Sequence, residues 1–126
     1  MPTVDLDKDN LASTINDNPF VIIDFWAPWC GPCQSFKPVF EATAEKHPDI
    51  VFAKVNTEDQ QEIASHFQIR SIPTLMIFRD QVVLYAEAGA LPQSSFEKLV
   101  DDAKAVDMDE VQKAIEEEEQ KAQPSA

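Results

Sequence analysis

Apolar residues follow two rhythms along this chain. Residues 20–26 are apolar, β-branched or aromatic at every position except Asp24. An unbroken run predicts a central strand buried on both faces, because a half-exposed strand would alternate. Residues 50–55 have the same character and predict a second buried strand. The segment between them places Phe36, Val39, Phe40, Thr43 and Ala44 at i, i+3, i+4, i+7 and i+8, the stripe of an amphipathic helix. A helical crossover makes the two strands parallel. Pro38 should kink that helix and Pro48 should end it.

Shorter elements flank this unit. Residues 7–16 read as a polar helix with Leu11 and Ile15 on one face, stopped by Asn18-Pro19. Residues 58–67 read as a short helix with Ile63, Ala64 and Phe67 inward. Residues 74–78 and 82–86 predict a hairpin joined through Arg79-Asp80-Gln81. Pro92 would open a last helix, with Phe96, Leu99, Val100 and Ala103 as its buried stripe. The expected order is βαβαβαββα, an α/β fold with a mixed sheet and helices on both faces. No residues are assigned to the leading strand.

Composition narrows this picture. At 126 residues the chain suits one domain, and it holds only two Gly and two Cys against nine Pro. That argues against a Gly-rich phosphate loop, a flexible linker and a disulfide-dense scaffold. Net charge is −13, so nucleic acid and anionic membrane surfaces are not expected partners. No apolar run is long enough to span a bilayer. The start, Met1-Pro2-Thr3-Val4-Asp5, carries no secretory pattern, so a cytoplasmic, reducing compartment is expected.

Charge is also uneven. Residues 101–126 hold nine acidic and three basic side chains. Asp107 and Glu110 resemble a capping box, followed by Met108, Val111 and Ile115 on one stripe and then four consecutive Glu. The expected organisation is a catalytic domain over 1–105, an acidic helical extension over 106–122, and a frayed tail over 123–126.

The candidate chemistry lies at Cys30-Gly31-Pro32-Cys33, where the first long strand meets its helix. Spacing i, i+3 on a first helical turn brings two Cα atoms to about 5–6 Å, within reach of a disulfide. The positive end of the helix favours a thiolate at Cys30. Cys30 is therefore expected to attack a substrate disulfide and Cys33 to resolve the mixed disulfide. Two other readings stand beside this one. A zinc site would need four ligands, yet there is no second Cys pair, and His47 and His66 lie on separate segments. A merely structural pair is the remaining reading.

The stretch Asp24-Phe25-Trp26-Ala27-Pro28-Trp29-Cys30-Gly31-Pro32-Cys33 resembles the active-site signature of the thioredoxin family. Ile69-Arg70-Ser71-Ile72-Pro73-Thr74 and Ala88-Gly89-Ala90 are similar to its second and third signatures, in the same order. The likeness covers roughly residues 1–105 and implies a thioredoxin fold. It implies that Asp24 is a buried carboxylate helping to deprotonate Cys33, a role that desolvation inside a strand would support. Lys54 matches the family's lysine near that carboxylate, and Pro73 its cis proline. Trp29, Gly31, Pro32, Ile72, Pro73, Gly89 and Ala90 would form the surface that accepts a substrate peptide, with the Ile72 backbone pairing to it as an added strand. Gln34 departs from the family, standing where many members have a basic residue.

The implied activity is protein-disulfide reduction by a monomer that takes part in electron transport and cell redox homeostasis. It would act with no bound cofactor beyond the redox-active disulfide, and thioredoxin reductase with NADPH would re-reduce it. The partners would be that reductase and disulfide-containing proteins. The alternative is an interaction or chaperone-like module whose C-terminal helix docks a partner. The two Gly are expected where a side chain would obstruct the thiols or an incoming peptide.

Overall fold

A computed structural model describes residues 2–122. The elements are β1 (Thr3–Asp5), α1 (Leu11–Asp17), β2 (Phe20–Trp26), α2 (Gly31–Lys46), β3 (Val51–Asn56), α3 (Gln61–His66), β4 (Thr74–Arg79), β5 (Val82–Ala88), α4 (Gln93–Ala105) and α5 (Met108–Ala122). They form one five-stranded sheet in the order β1-β3-β2-β4-β5. β2 and β3 run parallel, as do β1 and β3, while β4 is antiparallel to both β2 and β5. The expected tail at 123–126 lies outside the described residues.

Helices cover both faces. On one side Phe36 and Phe40 of α2 and Phe96 and Val100 of α4 pack on Ile22, Phe52 and Ile77. On the other, Leu11 and Ile15 of α1 and Ile63 of α3 pack against Val21, Ile23, Phe25 and Val55. Both expected long strands are buried on both sides, and α2 carries its expected stripe, with Val39 only half covered. Pro38 sits inside α2, which continues through it.

Three boundaries shift, two of them for a local reason. The Asp7 carboxylate accepts from the amides of Asp9 and Asn10, and the Asn10 side chain accepts from the Asp7 amide. This turn occupies the residues expected to start α1. Asn56 Oδ1 likewise accepts from the amides of Glu58 and Asp59, so α3 starts late. Pro92 stands one position outside α4, at its N-cap. β1 occupies the unassigned leading position and covers the outer edge of β3.

The hairpin turns on two residues, Asp80 and Gln81, with φ of 51° and 68°. Left-handed conformation at both positions is the turn that matches strand twist, and it favours Gly at the second. Gln81→Gly is expected to raise stability by about 0.5–1 kcal/mol, read from urea denaturation, because it removes a left-handed non-glycine residue. A fall in stability would show that the Gln81 side chain makes a contact worth more than this strain.

Beyond the hairpin, Arg79 fixes where the C-terminal segment begins. Its guanidinium lies over the Phe20 ring and donates to the carbonyls of Ala103 and Lys104 at the end of α4. α5 follows after Val106 and Asp107. The Asp107 carboxylate accepts from the amides of Asp109 and Glu110, which is the N-cap half of the expected capping box. Among α5 residues only Met108 is buried.

Candidate active site

The end of β2 delivers the chain to the cysteines. The Trp26 carbonyl accepts from both the amide and the hydroxyl of Thr57, which ties this strand end to the segment after β3. Ala27 is fully buried, and the Cys30 amide donates back to its carbonyl at 3.2 Å. Gln34 Nε2 reaches back to the Pro28 carbonyl at 3.2 Å. The residue that departs from the family pattern thus braces the loop that presents Cys30.

Cys30 is the N-cap of α2, and Cys33 lies in its first turn. The two form a disulfide with Cα atoms 5.2 Å apart. The Cys33 amide points at Cys30 Sγ at 3.2 Å. That N–H is one of the unpaired donors of a helix start, so negative charge on Cys30 Sγ is met by a hydrogen bond and by the helix dipole. Both sulfurs are nearly enclosed, with Cys33 only 2% exposed. They cluster with Ala27, Trp26 and Ile72.

The second signature arrives from the loop before β4. Ile72-Pro73 is a cis peptide bond, and the Ile72 carbonyl lies 3.8 Å from Cys30 Sγ. The Thr74 hydroxyl donates to the Ser71 carbonyl and closes this loop on itself. The third signature joins through the Gly89 amide, which donates to the Pro73 carbonyl at 2.8 Å. Trp29 is 71% exposed beside the cysteines. Gly31, Pro32, Gly89 and Ala90 are also exposed, Ile72 is half-buried and Pro73 buried.

The glycines do not make room for distant parts of the chain itself. Apart from its two chain neighbours and, for Gly31, the backbone of its own helix, a Cβ built at Gly31 or Gly89 would meet no atom within 4 Å, so neither glycine is kept clear of a more distant part of the chain. Gly89 is explained instead by its φ of +118°, which L side chains rarely adopt.

Asp24 lies in the middle of the sheet at 1% exposure, and its Oδ1 has no hydrogen-bond partner among the described residues. Burial raises its pKa from 3.8 to about 7, against the opposing pull of the Lys54 charge. Lys54 stands beside it in register on β3 and is 8% exposed, with its ammonium 4.7 Å from the centre of the Trp26 ring. Neither residue is the solvated surface group that its type would ordinarily be.

Three bracing contacts carried no sequence signal: Gln34 to Pro28, Thr57 to Trp26, and Thr74 to Ser71. Each joins a side chain to a carbonyl whose position depends on the fold.

The thioredoxin family model matches residues 2–102. The chain belongs to the thioredoxin family. A putative thioredoxin 2 of Streptomyces coelicolor is 53% identical over 120 residues, covering 95% of this chain and 90% of its own length. A thioredoxin of Porphyra purpurea is 48% identical over 84 residues, covering 66% of this chain and 78% of its own. Among solved structures, a mutant thioredoxin of Halobacterium salinarum superposes with a TM-score of 0.75 at 29% identity, covering 83% of this chain and 93% of that one. The fold is therefore the thioredoxin fold with an added C-terminal helix. The Streptomyces match leaves at most six of 126 residues outside it (126 less 120), so it runs into α5.

Family and disulfide together make the chain a thiol–disulfide oxidoreductase with Cys30 and Cys33 as its redox pair. Among the described residues, no helix is long and apolar enough to cross a membrane.

Proposed function

We propose that the protein is a general protein-disulfide reductase whose thioredoxin unit, residues 1–105, carries the chemistry while residues 106–122 form an appendage. The observation that carries this reading is the Cys33 amide aimed at Cys30 Sγ at the start of α2. It stabilises the Cys30 thiolate, the form that attacks.

The cycle starts with both cysteines reduced. Cys30 Sγ⁻ attacks one sulfur of a substrate disulfide, forming the mixed disulfide and expelling the other sulfur as a thiolate. Asp24 takes the proton from Cys33. Cys33 Sγ⁻ then attacks Cys30 Sγ, forming the intramolecular disulfide and releasing the second substrate thiolate. The substrate is reduced by two electrons and the cysteine pair is oxidised by two. A pKa of about 7 lets Asp24 accept a proton near neutrality and give it up again. Lys54 tunes that affinity. Trp29, Gly31, Pro32, Ile72, Pro73, Gly89 and Ala90 form the docking surface, where substrate backbone pairs with Ile72.

A thioredoxin reductase drawing on NADPH would return the pair to dithiol in a cytoplasmic setting, with the chain working as a monomer and without a bound cofactor. NADPH consumption in the presence of such a reductase and insulin should depend on this chain and saturate with it. No NADPH oxidation above the reductase blank would remove that electron source from the proposal, and the dithiol chemistry would remain to be driven by another reductant.

A further inference from the structure

One apolar surface plays no part in thiol exchange. β5 is the last strand of the sheet, so among the described residues its outer backbone groups have no strand partner. α5 runs beside this edge, and between them lies a groove of about 640 Å³. Val83 and Leu84 line it from the strand, Val111 and Ile115 from the helix, with Glu118 and Glu119 toward the helix C-terminal end.

The groove follows the strand's edge. Val83 stands opposite Phe78, which packs on the α1–α3 side of the sheet. Val82, also in the lining, stands opposite Arg79, which reaches α4 on the other side. Side chains from both faces meet one groove only along the edge between them, and a register shift next to Leu84 bends the strand there. Val83 is 46% exposed. Val111 and Ile115 are only half covered, so α5 flanks the edge without sealing it.

Charge selects the occupant. α5 carries six acidic residues against Lys113 and Lys121. A second copy of this chain would bring another acidic helix and another −13 to the same place, which repulsion opposes. An extended segment alternating apolar residues with Lys or Arg meets all three features. Its backbone pairs with the outer edge of β5, its apolar side chains rest on Val83 and Ile115, and its cations face Glu119 and Glu118, the latter exchanging an exposed contact with Lys121 for the incoming charge. We infer that the β5–α5 groove binds a basic, apolar segment of a partner protein by strand addition. This surface lies at the opposite end of β5 from Gly89 and the cysteines, so occupancy leaves the thiols free.

The test uses the full chain and a labelled peptide alternating valine and lysine, with a valine–glutamate peptide as control. Fluorescence anisotropy should show saturable binding of the valine–lysine peptide only. Joint Glu118→Lys and Glu119→Lys substitution should weaken it about tenfold. Ile115→Asp should do the same, and so should Val83→Asp, which alters an exposed strand position and leaves α5 intact. Both add negative charge, which alone would strengthen attraction, so weaker binding reports lost apolar contact. Amide NMR shifts should concentrate at residues 82–84 and 111–122. Insulin reduction driven by dithiothreitol should be unchanged in every variant, which separates this surface from the thiol site. The inference is overturned if the valine–lysine peptide does not saturate, if the acidic peptide binds equally, if the shifts fall elsewhere, or if methylating alternate peptide amides leaves affinity intact.

Discussion

Cys30→Ser should bring dithiothreitol-driven insulin reduction down to the uncatalysed rate, whereas Cys33→Ser should still attack once and then stall as a stable mixed disulfide. The asymmetry follows from position. Cys30 caps α2, beside exposed Trp29 and Gly31, and its sulfur receives the Cys33 amide. A serine hydroxyl there would be protonated at neutral pH and is no nucleophile toward disulfides. Cys33 is more enclosed, at 2% exposure, and its reach is set by the 5.2 Å between Cα atoms. Without its thiol the first covalent step has no intramolecular exit. Mass spectrometry after mixing reduced Cys33→Ser protein with a disulfide substrate should show the adduct at Cys30. Turnover by Cys30→Ser at a rate near wild type would sink the assignment of roles. So would an adduct that forms on Cys33 in the Cys30→Ser variant as fast as on Cys30 in the other.

The largest effect on stability is expected at Asp24. Its folded pKa of about 7 stands above the unfolded 3.8 because burial disfavours the charged form. The native state therefore holds this proton more tightly than the unfolded chain does. The stability that comes from holding it is fully present below about pH 4 and is lost as pH rises through about 7. A shift of this size amounts to about 4 kcal/mol once ionisation is complete. Asp24→Asn keeps the shape without the charge, so the variant should be the more stable protein at alkaline pH. Urea denaturation of the oxidised forms should show its advantage growing by about 2–3 kcal/mol between pH 5 and 8.5. An advantage independent of pH would mean that Asp24 does not titrate in this range. In the proposed cycle the same substitution should also slow resolution of the mixed disulfide, because Asp24 is there the group that takes the proton from Cys33. Stability gained with rate lost is the pattern of a residue kept for function.

Much of this fold could be read in the chain because its signals are local. β2 is legible as an unbroken apolar run, and α2 as a stripe that begins at the cysteines. β1 is not, since three residues of mixed character become a strand only by lying against β3. α1 and α3 start later than periodicity predicts because Asp7 and Asn56 fold their side chains onto the following amides, which helix periodicity does not register. The site divides in the same way. The cysteine spacing carries its own chemistry, and the aspartate inside an apolar strand announces its desolvation. The groove beside β5 is only half legible: the stripe of Val111 and Ile115 marks its helix wall, but nothing in the pattern pairs that wall with residues 82–84. Its walls come from residues 82–84 and 111–122, and only the path of the chain after α4 brings them together.

That path depends on Arg79. Its guanidinium joins the last turn of α4 to the end of β4, while α5 beyond it has one buried side chain. A mechanical pull on the C-terminal end would therefore peel α5 away at low force and stop where Arg79 passes the load into the sheet. The cysteine loop, at the far end of the same strands, would not feel it.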